Sequence, residues 1–217
     1  MKLTIGDEYL KVTDNVYALE STKGNYAYVI LGEEISLIDT GRPGQGKGIL
    51  KELKAMDIEP EDIKHILITH HDVDHIGSLA FLEKKTGANI WASKEDIPYI
   101  CGDKNRPGIK RFFSFILRAK KPEKINPYPE NHKILDMEVI PTPGHTPGHV
   151  CLLYRDILFV GDLFRTSNGQ IGPMRSFMNW NTDLSMESIK KVADLHFKWL
   201  CPAHGKPVEL KGKHELM

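Results

Sequence analysis

One short segment carries the densest chemistry in this chain: Thr69-His70-His71-Asp72-Val73-Asp74-His75-Ile76-Gly77. It places three histidines and two aspartates within six residues. The run Ile66-Leu67-Ile68 comes directly before it, and a short apolar run rich in β-branched residues is typical of a buried strand. Histidine and aspartate side chains that cluster at the carboxyl end of a strand predict a metal site in an α/β protein. The alternative, a polar loop of solvated side chains, is disfavoured because further histidines follow along the chain.

The composition is that of an ordinary globular domain. The chain has 217 residues, which is enough for one α/β domain with a sizeable core. Its 29 basic and 29 acidic residues give a formal net charge of zero. A balanced charge gives no general reason to expect binding to nucleic acid or to a membrane. We therefore expect no nucleic-acid partner and no membrane association. The expected partner is a small-molecule substrate, and the oligomeric state stays open.

The expected compartment is the cytoplasm. The first residues contain no long apolar segment, so no signal peptide is expected. No stretch approaches the ~18 apolar residues that a membrane span needs. The cysteines, Cys101, Cys151 and Cys201, are far apart and form no CxxC pattern, which is typical of a reducing compartment.

Strand and helix patterns alternate on both sides of the cluster. Apolar runs predict strands over residues 16–19, 27–31, 35–38, 66–68, 89–92, 138–140, 149–154, 157–160 and 199–202. Helical spacing predicts helices over residues 49–56, 79–85 and 185–197, with Gly87 ending the second, and residues 163–181 are predicted as a loop. This order predicts an α/β (α+β) protein built as a four-layer αββα sandwich.

Residues 94–131 differ from the rest, because they show no clear strand pattern. They contain a phenylalanine-rich helical patch at about 108–119, and eight Lys or Arg with one acid occur from Lys104 to Lys124. The segment is too short to fold alone, so we predict a single domain over 1–217 with an inserted helical cap at about 94–131. If the cap overhangs the site, its charge predicts an anionic substrate, with Arg111 and Arg118 as candidate contacts. The alternative is a solvated basic surface.

Other candidate ligands also follow predicted strands. They are Asp39, His145, Asp162 and His204. The loop Pro141-Thr142-Pro143-Gly144-His145-Thr146-Pro147-Gly148-His149 is rich in proline and glycine, so it presents an imidazole on a preset backbone. A lone histidine in a loop is usually structural, but ligand-type residues at four strand ends are better explained by one shared metal site.

Together these motifs resemble the metallo-β-lactamase-fold metal-dependent hydrolase superfamily. The resemblance rests on Leu37-Ile38-Asp39-Thr40-Gly41, the cluster at 69–75, the Pro-Gly-His-Thr-Pro-Gly-His loop at 143–149, Gly161-Asp162 and Pro202-Ala203-His204-Gly205. It extends over nearly the whole chain. The motifs are specific for the fold and weak for the substrate, because the superfamily includes lactonases, thioesterases, phosphodiesterases, lactamases and redox enzymes.

The resemblance implies two divalent metal ions, with zinc expected first and iron or manganese as alternatives. By position, His70, Asp72 and His145 would hold the first ion, Asp74, His75 and His204 the second, and Asp162 would bridge them. Asp74 would also be catalytic, accepting protons near a metal-bridging hydroxide. Asp39, Thr69 and His149 would support the ligands. His71 is expected to be a solvated side chain that points away from the metals.

One residue departs from the superfamily pattern, because Asp72 stands where a histidine is usual. A carboxylate can still bind a metal, but an oxygen ligand favours harder ions than an imidazole does. Asp72 is similar in this respect to the carboxylate of flavin-diiron proteins, which use iron. Against that comparison, the chain shows no flavodoxin-like domain that would deliver electrons.

The sequence therefore predicts a hydrolase in which a metal-bridging hydroxide attacks an ester, thioester, lactone or phosphoester. Two alternatives stay open. One is an iron-containing oxidoreductase related to flavin-diiron proteins, and the other is a non-catalytic protein that binds metal or ligand. A true β-lactamase role is not expected, because the sequence shows no export signal.

Overall fold

The computed structural model describes residues 9–105 and 119–211. The first sheet has seven strands in sequence order: β1 Tyr9–Thr13, β2 Val16–Leu19, β3 Tyr28–Leu31, β4 Ile35–Ile38, β5 Ile63–Leu67, β6 Asn89–Ala92 and β7 Asn126–Pro127. Strands β1 to β4 are antiparallel, whereas β4 to β7 are parallel. The carboxyl ends of β4, β5 and β6 therefore lie at the same edge of this sheet.

The second sheet has six strands: β8 Lys133–Ile134, β9 Met137–Pro141, β10 Val150–Tyr154, β11 Ile157–Gly161, β14 Trp199–Pro202 and β15 Val208–Glu209. Their spatial order is β15-β14-β11-β10-β9-β8, and only the β11–β14 pair is parallel. Between β11 and β14 the chain forms a separate hairpin of β12 Phe164–Ser167 and β13 Gln170–Pro173.

Five α-helices are described: α1 Gly46–Ala55, α2 Val73–Ile76, α3 Leu79–Thr86, α4 Ile97–Ile100 and α5 Thr182–Ala193. Short 3₁₀ turns occupy Glu20–Thr22, Pro60–Asp62 and Ser176–Met178. Helix α3 ends at Gly87, which has a left-handed conformation with φ +68°, as its sequence position predicts. In the described ranges, every helix is too short or too polar to traverse a bilayer.

Three hydrophobic clusters define four layers. The central cluster joins the facing sides of the two sheets, and in it Tyr28 of β3 meets Phe159 of β11 edge to face at 5.1 Å. A second cluster packs α1 and α3 against the outer face of the first sheet. A third packs α5 against the outer face of the second sheet, with Ile189 and Val192 among its buried side chains. The αββα sandwich predicted from the sequence is therefore confirmed.

The region between β11 and β14 differs from the predicted loop at 163–181. Its β12–β13 hairpin turns at Asn168-Gly169, where both residues have positive φ. Asn-Gly is a strong signal for this two-residue turn, and the sequence prediction did not use it. Helix α5 also starts earlier than predicted, because the Asn181 side chain accepts a hydrogen bond from Leu184 N at 3.1 Å and caps the helix.

The segment predicted as a cap is described only in part. Its beginning contains α4, and near its end β7 pairs with β6, so that residues 126–127 belong to the first sheet. The helical patch predicted at about 108–119 lies outside the described residues apart from Ala119. The insertion of a helical cap into a single domain stays a prediction.

Candidate metal centre

The candidate ligands come from both sheets and meet at one end of the sandwich. The first sheet supplies His70, Asp72, Asp74 and His75 from the loop and short helix after β5. The second sheet supplies His145 from the β9–β10 loop, Asp162 directly after β11 and His204 directly after β14. Because these positions follow strands that run toward the same edge, residues up to 134 positions apart in sequence share one site.

Four of these residues form the first group: His70, Asp72, His145 and Asp162, whose ligand atoms all lie within 4.8 Å of one another. His145 Nε2 lies 3.0 Å from Asp72 Oδ2 and 3.3 Å from Asp162 Oδ2. His70 Nε2 lies 3.5 Å from Asp72 Oδ2. All four side chains are buried, so these nitrogen and oxygen atoms face each other rather than water.

The second group consists of Asp74, His75 and His204, whose ligand atoms also lie within 4.8 Å of one another. His204 Nε2 lies 3.6 Å from Asp74 Oδ2. The side chains of His204 and Asp74 are 28% and 29% exposed, whereas His75 is fully buried. The second group is therefore the one that faces solvent.

Asp162 lies between the two groups. Its Oδ1 is 3.2 Å from His75 Nε2, and its Oδ2 is 3.3 Å from both His145 Nε2 and His204 Nε2. A single carboxylate thus faces histidines of both groups, which is the position required of a bridge between two ions.

The residues present fit a pair of divalent ions. Among the described residues, His70 Nε2, His75 Nε2 and Asp162 Oδ1 are buried atoms that form no hydrogen bond of good geometry, although the last two lie 3.2 Å apart. Buried polar atoms are normally paired, so orphaned atoms that point to one place indicate a group that binds them there. Imidazole nitrogens and carboxylate oxygens are ligands for divalent zinc, iron and manganese.

Asp162 and His70 have the protonation states that a metal ligand needs, whereas His75 does not. Burial alone would raise the pKa of Asp162, but His204 and His75 hold it well below its usual value, so this carboxylate is ionised. Burial, helped by His75, holds the pKa of His70 well below its usual value, so that imidazole is neutral. Burial alone would lower the pKa of His75, yet Asp162 and Asp39 hold it well above its usual value. An ion held by His75 would therefore displace a proton from this ring.

Asp39 and Thr69 orient two of the histidines. Asp39 Oδ2 lies 2.7 Å from His75 Nδ1, and the same side chain accepts hydrogen bonds from Thr69 N at 2.9 Å and Thr69 Oγ1 at 2.7 Å. Thr69 Oγ1 lies 3.1 Å from His70 Nδ1. With their Nδ1 atoms engaged below the site, His70 and His75 present Nε2 to the ligand groups.

The His149 side chain contacts the backbone of Asp162. Asp162 N donates to His149 Nε2 at 3.2 Å, so Nε2 is unprotonated and Nδ1–H donates to Thr142 Oγ1 at 2.9 Å. Burial, with His145 nearby, lowers the pKa of His149 to about 3, which keeps the ring neutral. The structure thus places His149 beside Asp162, and its supporting role stays a prediction.

Three supporting contacts had no signal in the sequence. His145 Nδ1 donates to Asn179 Oδ1 at 3.2 Å, and His204 Nδ1 donates to the Gly24 carbonyl at 3.0 Å. The Asn25 side chain donates to the Asp74 carbonyl. Asn179 follows the turn after β13, and Gly24-Asn25 form the turn between β2 and β3, so each belongs to a loop whose role depends on the tertiary fold.

The expectation for His71 was wrong. Its side chain is 0% exposed, its ring stacks on Tyr99 with centroids 4.4 Å apart, and its Nδ1 lies 3.0 Å from Asp96 Oδ2. A histidine between two ligand positions can point away from the metals without reaching solvent, because α4 and the turn before it cover that side. The two predicted substrate contacts, Arg111 and Arg118, lie outside the described residues.

The family is established by comparison with known sequences. A profile of the metallo-beta-lactamase superfamily matches residues 22–204, which is most of the chain. The chain therefore belongs to the metallo-beta-lactamase superfamily, and the resemblance stated from the motifs is confirmed. Together with the His/Asp cluster, this membership indicates a site for divalent metal ions.

Individual proteins and solved structures are similar to this chain over much of its length. Uncharacterized protein YobT of Bacillus subtilis is 30% identical over 195 residues, which cover 80% of this chain and 79% of that protein. Hydroxyacylglutathione hydrolase of Shewanella loihica is 31% identical over 148 residues, which cover 68% of this chain and 50% of that enzyme. The crystal structure of TTHA1623 in a di-iron-bound form superposes with a TM-score of 0.69 at 24% identity, covering 85% of this chain and 89% of that one. At that identity the likeness concerns the fold alone.

Proposed function

We propose that this protein is a hydrolase that uses two divalent metal ions to cleave an ester, thioester, lactone or phosphoester of a small molecule. The observation that carries the proposal is the position of Asp162, whose two oxygens face histidines of both ligand groups. His70, Asp72 and His145 would hold the first ion, and Asp74, His75 and His204 the second, with Asp162 shared.

When bound, two divalent ions in such a site lower the pKa of a water and polarise a carbonyl or phosphoryl oxygen of the substrate. The chain supplies the proton acceptor. Asp74 is the carboxylate of the site that reaches solvent, and its backbone carbonyl is held by the Asn25 side chain. The Asp74 carboxylate would therefore accept the proton of the attacking water and return it to the leaving group.

Thioesters are the first substrates to test. A relative at 31% identity is named hydroxyacylglutathione hydrolase, although this chain spans only half of that enzyme. We also propose that the substrate is anionic, because eight Lys or Arg and one acid occur between Lys104 and Lys124. Exchanging Arg111 and Arg118 for Glu should then raise KM for an anionic substrate and leave a neutral substrate unaffected. Equal effects on both substrates would indicate a solvated surface.

The proposal is tested by measuring metal content and hydrolysis on the same purified protein. We expect two divalent ions per chain and turnover of at least one ester, thioester, lactone or phosphodiester, lost on chelation and restored by added metal. A protein that holds two ions yet leaves every substrate of the panel intact would favour the non-catalytic metal- or ligand-binding alternative.

Zinc is the proposed metal, and Asp72 is the observation that favours iron or manganese as competitors. Asp72 adds a hard oxygen where relatives are expected to have an imidazole, and its Oδ2 faces His145 at 3.0 Å. An iron-containing oxidoreductase is therefore the second candidate function. Two results together would favour the oxidoreductase. The bound iron would change oxidation state reversibly during turnover with an electron donor, and the protein would hydrolyse none of the substrates.

We propose a cytoplasmic location on the state of the cysteines. Cys101, Cys151 and Cys201 are all free thiols in this structure, and the last two are buried. Free, buried thiols are typical of proteins kept under reducing conditions. Fractionation of cells that produce the protein would test the location.

A further inference from the structure

Asp96 is a fully buried carboxylate outside both ligand groups. It lies in the turn after β6, at the start of α4, and its side chain is 0% exposed. Placing an ionised carboxylate there would be costly unless several donors compensated for its lost hydration. Burial alone would raise the pKa of Asp96, but the contacts of its carboxylate with His71 and Thr146 hold it below its usual value.

The donors come from two loops that carry metal-ligand candidates. From the loop after β5, His71 N donates to Asp96 Oδ2 at 2.9 Å, and His71 Nδ1 lies 3.0 Å from the same oxygen. From the β9–β10 loop, Thr146 Oγ1 donates to Oδ2 at 2.8 Å and Gly148 N donates to Oδ1 at 2.8 Å. One side chain thus joins two loops that belong to different sheets.

The packing around this contact leaves no space for adjustment. A Cβ added at Gly148 would lie 2.0 Å from Ser93 Oγ and 2.7 Å from Asp96 Oδ1. The close approach of the Gly148 backbone to the turn at residues 93–96 therefore depends on glycine. The β9–β10 loop is therefore held close to the turn that carries Asp96, and the Asp96 side chain joins it to the loop after β5.

We infer that Asp96 is a positioning residue for the first metal position. His71 lies between His70 and Asp72, and Thr146 follows His145, so the atoms that Asp96 holds are next to three ligands of the first group. The second group has other supports: Asp39 holds His75, the Gly24 carbonyl holds His204, and Asn25 holds Asp74. Loss of Asp96 should therefore weaken one metal position and spare the other.

The test is metal binding by the Asp96→Asn variant, and no substrate is needed. An asparagine keeps the size of the side chain but replaces one accepting oxygen with an NH₂ group, which cannot accept from Gly148 N or from the His71 and Thr146 donors. We expect affinity for Zn²⁺ or Co²⁺ at the first group to fall about 10–100-fold, as is usual when a residue that orients ligands is lost. Affinity at Asp74, His75 and His204 should change less than about threefold.

Two measurements separate the positions. Titration of metal-free protein gives the two affinities, and anomalous scattering from crystals grown at limiting Co²⁺ shows which group retains the ion. Glu52→Gln is the matched control, because Glu52 is also a buried carboxylate that accepts from two backbone donors, Glu20 N at 2.8 Å and Ser21 N at 2.9 Å. The Glu52→Gln control should lower Tm without changing which of the two ligand groups retains Co²⁺ when the ion is limiting.

If Asp96→Asn does not fold, Thr146→Val carries the test, because it removes one hydrogen bond to Asp96 at nearly constant volume. It should weaken the first position several-fold, and the ion should again be retained at the second group. Unchanged affinity at the first group, or an equal loss at both groups, would overturn the inference. It rests on the proposed dinuclear site, but a wild-type protein that binds both ions and hydrolyses nothing would contradict only the proposed hydrolase.

Discussion

Each oxygen of Asp162 faces a different set of nitrogen atoms. Oδ1 is near His75, and Oδ2 is near His145 and His204, while Asp162 N is fixed by His149. Replacing this side chain with a neutral group would therefore leave three imidazoles without the carboxylate that they face. At the residue scale, Asp162 is where the two metal positions depend on each other.

Asp162→Ala should abolish both metal binding and hydrolysis. We expect the affinity for both ions to fall more than about 100-fold, beyond the range seen for loss of a merely supporting residue. Elemental analysis of dialysed protein measures the loss. Asp156→Ala is a suitable control, because Asp156 is an exposed aspartate in the turn between β10 and β11. Two ions per chain in Asp162→Ala would rule out the bridging role.

Asp72→His should change both the metal and the pH dependence. The substitution removes a negative charge from the first group, and greater positive charge lowers the pKa of water bound to a metal. The acidic limb of the rate profile should therefore move to lower pH, and the fraction of zinc in the bound metal should rise relative to iron and manganese. Both are measured on one preparation. An unmoved acidic limb in a fully loaded variant would mean that Asp72 is not a ligand.

At the scale of the elements, the β9–β10 loop is held against α5. Gly144 has φ +137°, and a Cβ there would lie 2.3 Å from Ser185 N and 2.4 Å from Ser185 Cα in α5. Asn181 N also donates to the Gly144 carbonyl at 2.8 Å. The loop that presents His145 is therefore positioned by the start of a helix on the outside of the second sheet.

Gly144→Ala should destabilise the protein far more than Gly87→Ala. Gly87 also has a positive φ, but a Cβ there would meet nothing within 4 Å, so only backbone strain of about 1 kcal/mol is expected. At Gly144 the clash with α5 adds overpacking of about 1–3 kcal/mol. Urea unfolding of the two variants measures the difference. Equal losses would indicate that α5 moves away without cost.

At the scale of the whole molecule, the site connects the ends of the two sheets, so metal removal should lower Tm for the entire domain. An ion present at about 100 times its dissociation constant stabilises the folded state by about 2.7 kcal/mol. Chelation should therefore shift one cooperative thermal transition rather than create a second. Calorimetry with and without chelator measures it, and a separate low-temperature transition would show that the site unfolds alone.

The size of that shift should depend on pH. In metal-free protein, the pKa values of His75 and His204 are raised above 6.5, their usual value. Their contribution to the free energy of unfolding is therefore complete below pH 6.5 and is lost as the pH rises through the raised pKa values. The lowered pKa of Asp162 gives stability present above 3.8 and lost as the pH falls through its folded value. Metal-free protein should thus be most stable in mild acid. Metal competes with the proton on His75, so the Tm difference on chelation should grow toward alkaline pH.

The strand ends that carry the candidate ligands were predictable, because short local patterns identify strands, whereas the role of each residue as a ligand was implied by the family resemblance. Asp96 was not predictable, since His71, Thr146 and Gly148 are 25, 50 and 52 residues away from it. No feature of the sequence distinguishes Asp96 from the adjacent acidic residue Glu95. The Gly24 carbonyl and His204 are 180 residues apart, so their contact exists only in the finished fold. His71 was placed in solvent because nothing local revealed that α4 covers it.

The order of the ligand groups along the chain also bears on its biosynthesis. The turn at Gly24-Asn25 is among the first parts of the described chain to leave the ribosome, and its partner His204 is among the last. The second group therefore cannot close on a nascent polypeptide that still lacks β14. A chain that stops before β14 lacks His204, so it lacks one of the three residues proposed to hold the second ion.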